Sequence, residues 1–351
     1  MNLDDTKRFS KLDPSHMLGE IDGLPDQLER AWDLGQHFPL GEISGVRQVI
    51  LAGMGGSAIG ADLIAAYAMP MLVVPITIWR NYDLPAFTAG EGTLVVVSSH
   101  SGNTEESLSA LEAAREYGAQ TIAMTTGGRL AERANQMGFP VWQFEHHGQP
   151  RAAVGYAFGL LLNLFTRLGL IPDAEHEFNE TLAVLKEQQI QLRADVPVVK
   201  NPAKRMAGQC MGRWPTIVGA DVFEPVARRW RTQIAELAKA VAQFEALPEA
   251  DHNMVAGVLN PEVLFGSTMV VFLRGTAGHP RNLLRVDVTR QVLMVEGFNT
   301  DVIQAAGESR MAQQWSMLHF GDYTAYYLAM AYQVDPTPVA AIEDLKQRLA
   351  G

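Results

Sequence analysis

The sequence predicts an α/β protein made of two halves, each a doubly wound, mainly parallel sheet flanked by helices. Three observations carry this. Short β-rich runs alternate with helical stretches over residues 46–144, the element order of a parallel sheet covered on both faces. A second alternation of the same kind begins at Thr216. At 351 residues and 47% apolar content, the chain is also long enough to bury two cores.

In the first half the predicted strands are Val49–Ala52, Leu72–Trp79, Thr93–Ser98, Gln120–Thr125 and Phe139–Phe144, with helices opening near Ser57, Asn103 and Arg129. The apolar stretch Ala152–Ile171 is interrupted by Asn163 and Arg167, so it reads as a buried helix and not as a membrane span. A polar helix over Glu175–Arg193 and a connector, Val196–Pro202, follow. The second half predicts strands at Thr216–Ala220, Thr268–Leu273 and Val302–Ala305, with helices over Phe223–Glu245 and Arg281–Glu296. Along the first of those helices an apolar stripe runs Val226, Trp230, Ile234, Leu237, Val241 and Phe244. No fixed-period repeat aligns the halves, so their duplication rests on element order.

Charge and composition exclude several functions. A net charge of −11 argues against a nucleic-acid or anionic-membrane surface, which needs clustered Lys and Arg. The single cysteine, Cys210, rules out an internal disulfide framework and reads as a small buried apolar residue. No Cys/His spacing resembles a zinc site, and no metal or cofactor is expected. The polar, acidic start Met1–Lys7 lacks the apolar core of a signal peptide, so a cytoplasmic location is expected.

Two loops of the first half carry chemistry. Ser99-His100-Ser101-Gly102-Asn103-Thr104 follows the buried run Leu94–Val97 and opens a helix, which puts hydroxyls and amides where a helix N-terminus attracts anions. Gly53-Met54-Gly55-Gly56-Ser57-Ala58 does the same after the first strand. Both fall beyond the carboxyl ends of strands, where ligands of such sheets gather. The plainer readings are a tight strand-to-helix turn for the glycines and helix capping by Ser101 or Asn103. One cap needs one hydroxyl, whereas Ser99, Ser101 and Thr104 offer three. The glycine loop also fits the loose dinucleotide pattern, but the second strand closes with Trp79-Arg80-Asn81 instead of an acidic residue. Arg80 would suit a 2′-phosphate, which keeps an NADP-dependent oxidoreductase as a minor alternative.

With these loops, the chain resembles the sugar isomerase (SIS) family, and within it the bifunctional phosphoglucose/phosphomannose isomerases. Four further stretches carry the narrower resemblance: Gln149–Ala153, Arg229–Glu236, Asp251-His252-Asn253, and the tail from Gly321-Asp322-Tyr323 through Asp335-Pro336-Thr337-Pro338 to Lys346. The resemblance implies two SIS-type domains: residues 1–172 with the phosphosugar loops, and residues 203–351 with the candidate base and a C-terminal helix, joined by a helical connector over 173–202. It implies a metal-independent aldose–ketose isomerase that interconverts glucose 6-phosphate and mannose 6-phosphate with fructose 6-phosphate. Gly55, Gly56, Ser57, Ser99, Ser101 and Thr104 would surround phosphate and sugar. Arg151 would sit by C1–C2, Glu236 would be the base, and His252 with Lys346 would help open the ring. A homodimer is implied, with His252 donated across the interface. Two departures stand out: Ala235-Glu236-Leu237 where similar proteins carry Asn-Glu-Asn, and His100 where tyrosine is more usual.

The residues themselves leave plainer readings open. Arg229, Gln233 and Glu236 form a column beside the apolar stripe, at the border where either a cleft carboxylate or a solvated one belongs. Arg151 reads equally as a capping or surface arginine, His252 as an exposed loop residue, and Lys346 as a solvated helix lysine. The pair His146-His147 reads as a solvated strand end, since neighbours on a strand point to opposite faces. A non-catalytic phosphosugar sensor on the same fold is the main rival to the isomerase. No stretch resembling a glutamine amidotransferase domain stands ahead of the two halves, which argues against an aminosugar synthase.

Overall fold

In the computed structural model, which describes residues 2–349, the chain forms two units. One is Gly23–Leu182, and the other joins the residues up to Asp22 to those from Ala183 onward. The chain opens with α1 (Thr6–Leu12) and α2 (Met17–Asp22), which belong to the latter. Phe9 of α1 packs edge-on against Tyr326, and the Tyr323 hydroxyl donates to Asp22, so aromatic burial ties this start to the far end of the chain.

The Gly23–Leu182 unit begins with α3 (Leu24–His37). It continues through β1 (Gln48–Gly53), α4 (Gly55–Ala68), β2 (Ile76–Trp79), β3 (Thr93–Ser99), α5 (Glu105–Glu116), β4 (Gln120–Thr125), α6 (Gly128–Gln136), β5 (Val141–Gln143) and α7 (Val154–Arg167). The five strands pair in parallel in the order β2-β1-β3-β4-β5. Val49, Ile50, Leu94, Val95, Val97 and Ile122 are fully buried, as strands covered on both faces require. The second strand is shorter than the sequence predicts. Leu72 still bonds back to the Ala68 carbonyl at 3.0 Å, Val73 is 80% exposed, and Pro75 has no N–H for a ladder. In the buried α7 the two polar interruptions bond to α3 and to the residue that ends it: Asn163 Nδ2 donates to the Trp32 carbonyl at 3.2 Å and Arg167 Nη1 to the Phe38 carbonyl at 2.8 Å.

The chain then runs α8 (Glu175–Leu192), within which the unit boundary falls. The second unit continues with α9 (Pro202–Cys210), β6 (Trp214–Ala220), α10 (Glu224–Leu237), β7 (Gln243–Leu247), β8 (Thr268–Arg274), α11 (Pro280–Val295), β9 (Asn299–Gln304), α12 (Arg310–Tyr332) and α13 (Ala340–Leu349). Its four strands are parallel, in the order β7-β6-β8-β9. The predicted helix Phe223–Glu245 is corrected. It ends at Leu237, Lys239 takes a left-handed φ of 54°, and the chain returns as β7. The stripe continues only by coincidence of spacing: Val241 is 68% exposed and Phe244 lies on the strand. Cys210 is 1% exposed, and burial pushes its thiol up to about 12, so it acts as an apolar core residue. Among the described residues, no helix is long and apolar enough to cross a membrane.

Candidate active site

Connection order reverses between β1 and β3: β1 leads to β2 on one side, and β3 leads to β4 on the other. In open α/β sheets the crevice beyond such a reversal is the ligand site. Both candidate loops open onto it, joining β1 to α4 and β3 to α5. Their backbones approach as closely as glycine allows, since a Cβ on Gly53 would meet the Ser98 carbonyl oxygen at 2.8 Å.

Neither helix N-terminus is capped by a side chain. The residue preceding α4 is the extended Met54, and that preceding α5 is Thr104. This corrects the capping alternative. The Thr104 hydroxyl bonds to Ser99 Oγ at 3.0 Å, and Ser101 Oγ accepts the Asn103 N–H at 3.2 Å. The hydroxyls thus form a cluster ahead of the helix while its first-turn N–H groups keep no capping partner, the arrangement that binds anions. The loop's carbonyls are used elsewhere: His100 O accepts from Thr126 N and Oγ1 at 3.1 and 2.7 Å, and Gly102 O from Leu130 N at 2.9 Å. Gly102 has a φ of +66° and lies so close to the β4–α6 turn that a Cβ would be 1.8 Å from the Gly127 carbonyl oxygen.

Arg151 lies in a one-turn 3-10 helix, Pro150–Ala152, and is 5% exposed, which overturns its reading as a surface arginine. A Cβ on Gly56 would fall 2.4 Å from the Pro150 carbonyl oxygen and 3.5 Å from Arg151 Cα, so the missing side chain of Gly56 is what lets this segment lie on the start of α4. Arg151 Nη1 contacts Gln149 Oε1 at 3.4 Å. The segment is also held by Gln27, a 4% exposed residue of α3 that sequence reasoning missed. Its Nε2 donates to the Ala152 carbonyl at 3.0 Å and its Oε1 accepts from Gly155 N at 2.7 Å, which caps α7. Only the two-sided donor and acceptor character of glutamine allows both bonds, and nothing in its local sequence marks it.

Two further readings change. His146 is not a solvated strand-end residue. It is partly buried, and its Nδ1 lies 2.8 Å from His100 Nε2, whereas His147 is exposed. Arg80 pairs with Asp62 and donates to the Ala58 carbonyl at 3.2 Å, so it ties β2 to α4 and the support it lent to a 2′-phosphate is withdrawn.

In the second unit the predicted column on α10 resolves into two environments. Arg229 and Gln233 are each 2% exposed. Arg229 forks onto Asp322 of α12, with Nε–Oδ1 at 3.1 Å and Nη2–Oδ2 at 2.6 Å. Glu236 alone reaches the border, partly buried. It lines a cleft of about 860 Å³ with Trp214, Ala235, Lys239, Val334 and Ala341. Of the two residues flanking Glu236, Leu237 is fully buried in the core and Ala235 faces the cleft. The start of α13 borders the same cleft, and Lys346 lies exposed further along that helix. His252 is exposed at the end of the 3-10 turn Glu249–His252, which follows β7. Its neighbour Asp251 anchors the turn to α11 through Arg285 at 2.7 Å and Thr289 at 2.6 Å. Glu236 stands beside Trp214, at the amino end of β6, whereas His252 lies past the carboxyl end of the parallel strand β7.

Residues 42–137 match the SIS domain family, and residues 199–349 match the bacterial phospho-glucose isomerase C-terminal SIS domain. A bifunctional phosphoglucose/phosphomannose isomerase of Caldicellulosiruptor bescii is 39% identical over 95% of this chain and 99% of its own. One from Aquifex aeolicus is 31% identical over 88% of this chain and 92% of its own. A glucose-6-phosphate isomerase like protein from Thermus thermophilus superposes with a TM-score of 0.67 at 20% identity, over 97% of this chain and 98% of its own, and so shares the fold. With one relative aligned along nearly its whole length and both sheets matched to SIS-type families, the chain belongs to the bifunctional phosphoglucose/phosphomannose isomerase family.

Proposed function

We infer that the protein is an aldose–ketose isomerase that interconverts glucose 6-phosphate and mannose 6-phosphate with fructose 6-phosphate. The observation that carries this reading is the uncapped pair of helix N-termini at the β1/β3 crevice, in a chain of this family. In the proposed site, the first turns of α4 and α5 with Ser57, Ser99, Ser101 and Thr104 hold the phosphate. Gly55 and Gly56 let it approach the backbone. The crevice supplies grip, and the proton transfer belongs to other residues.

Glu236 takes the C2 proton of the open-chain aldose, and the electron pair left behind forms a C1–C2 enediolate. Returning a proton to C1, while the O2 hydroxyl proton passes to O1, gives the ketose. Glucose and mannose 6-phosphates differ only at C2, so both collapse to the same enediolate and one base serves both. Negative charge gathers on the C1–C2 oxygens in this step, and a rigid guanidinium such as that of Arg151 is worth most there. His252 and Lys346 serve ring opening, where an imidazole or an amine side chain can exchange a proton with the ring oxygen. The opposite ends occupied by Glu236 and His252 in one unit support a homodimer in which His252 completes the partner's site. A cytoplasmic location belongs to the same reading.

The test is to incubate the EDTA-treated protein separately with glucose, mannose and glucosamine 6-phosphates and to assay fructose 6-phosphate. Ketose is expected from the first two. None from any of them overturns the reading in favour of a sensor, and ketose from one aldose alone removes the second activity. Gly102→Ala is expected to weaken binding of glucitol 6-phosphate, which cannot isomerise, by about five- to thirtyfold, since the left-handed backbone alone costs about 1–2 kcal/mol. Calorimetric titration reads this directly, and unchanged affinity would remove the loop from the phosphate site.

A further inference from the structure

His100 and His146 form a contact that the proposed chemistry does not use. His100 is the residue between Ser99 and Ser101, and its main chain and side chain are held separately. Its carbonyl accepts two bonds from Thr126, and its Nε2 lies 2.8 Å from His146 Nδ1. Two histidine nitrogens at that distance share one hydrogen, so one ring donates and the other accepts, and the tautomers of both are fixed together. The rings are embedded among aromatics. His100 meets Phe144 edge-on at 6.2 Å, His146 meets Tyr156 edge-on at 5.8 Å, and Phe144 stacks on Tyr156 at 4.6 Å and 19°. Tyr156 stands in the first turn of α7, five residues after Arg151. The four rings therefore bridge the hydroxyl loop to the helix that follows the arginine segment.

We propose that His100 and His146 are a positioning pair for the isomerase reaction: their hydrogen bond holds the Ser99–Thr104 loop in its phosphate-binding shape. The phosphate end of the sugar does not react, so grip there is felt equally in the ground and transition states. Loosening it raises KM and leaves kcat in place. The proposal rests on the isomerase reading, yet its hydrogen-bond logic can be read from binding alone.

Two substitutions at position 146 separate hydrogen bonding from packing. His146→Phe keeps an aromatic ring against Tyr156 and removes the nitrogen. His146→Asn loses the ring but offers an amide close to where Nδ1 stood. The expected result is that His146→Phe raises KM for both aldose phosphates about tenfold, the weight of one hydrogen bond of about 1.4 kcal/mol, with kcat within about threefold of the parent protein. The dissociation constant of glucitol 6-phosphate should rise in parallel, and His146→Asn should restore both constants to within about threefold. Parent-like constants in His146→Phe, or impaired binding in His146→Asn beside a parent-like His146→Phe, assign the site to packing and overturn the proposal. So does a loss of kcat at unchanged KM. If the parent protein binds glucitol 6-phosphate but turns over no aldose phosphate, the isomerase reading falls while the binding comparison still decides the role of the pair.

Discussion

Glu236→Gln is expected to lower kcat for glucose 6-phosphate and mannose 6-phosphate together, by about 10³-fold, within the range that a positioned general base supplies. Glutamine preserves the size of the side chain and cannot accept the C2 proton. The affinity for glucitol 6-phosphate should stay within about threefold, because the proposed phosphate grip is made by other residues. The fold should hold as well. Glu236 sits at the border of α10, while the packing of that helix is made by Val226, Trp230, Ile234 and Leu237, all fully buried. A melting temperature within a few degrees of the parent beside a collapsed kcat therefore identifies the base. Retained turnover would return Glu236 to the status of an ordinary helix residue.

Asp322→Ala should act in the opposite way, on stability first. The Arg229–Asp322 pair is bidentate and shielded, with side-chain exposures of 2% and 4%. Removing the carboxylate takes from a buried guanidinium the charge that Asp322 supplies, a change that costs about 3–5 kcal/mol. In a chain of 351 residues that corresponds to a fall in melting temperature of roughly 4–7 °C. Replacing both partners by apolar residues, Arg229→Met with Asp322→Leu, should recover most of the loss, since the pair's own net contribution is small once desolvation is counted. Calorimetric melting of the single and double variants checks this. The pair joins α10 to α12 alongside Trp230, whose indole N–H donates to the Met317 carbonyl at 2.9 Å. Its loss is expected to disturb the helix that carries Glu236 as well as the core.

The legibility of the chain followed the physics of each element. Strands such as Gln120–Thr125 were predicted to the residue because a doubly covered strand is a short apolar run between turn signals. β7 is missed because Val241 ahead of it and Phe244 within it fall, by chance, at the three-and-four spacing of the preceding helix, and the left-handed Lys239 that separates them from it has no sequence mark. α12 went unplaced for the reverse reason. From Met311 to Ala331 every residue is buried, so the helix carries no polar stripe for periodicity to detect. In the crevice, the glycines and hydroxyls announced themselves through residue type and position after strands. Gln27 and His146 did not, because their roles come from partners more than 40 residues away in sequence, Gly155 and His100. Long-range hydrogen bonds of this kind leave no local pattern.

Proton transfer through an enediolate is the central claim, and exchange with solvent tests it most directly. Fructose 6-phosphate incubated with the protein in D2O and followed by proton NMR over many turnovers is expected to gain deuterium at C1, with deuterium also at C2 of both aldose phosphates formed. Aldose phosphates that form while C1 and C2 keep all their protium would mean a direct hydride shift, and would contradict a carboxylate base at Glu236.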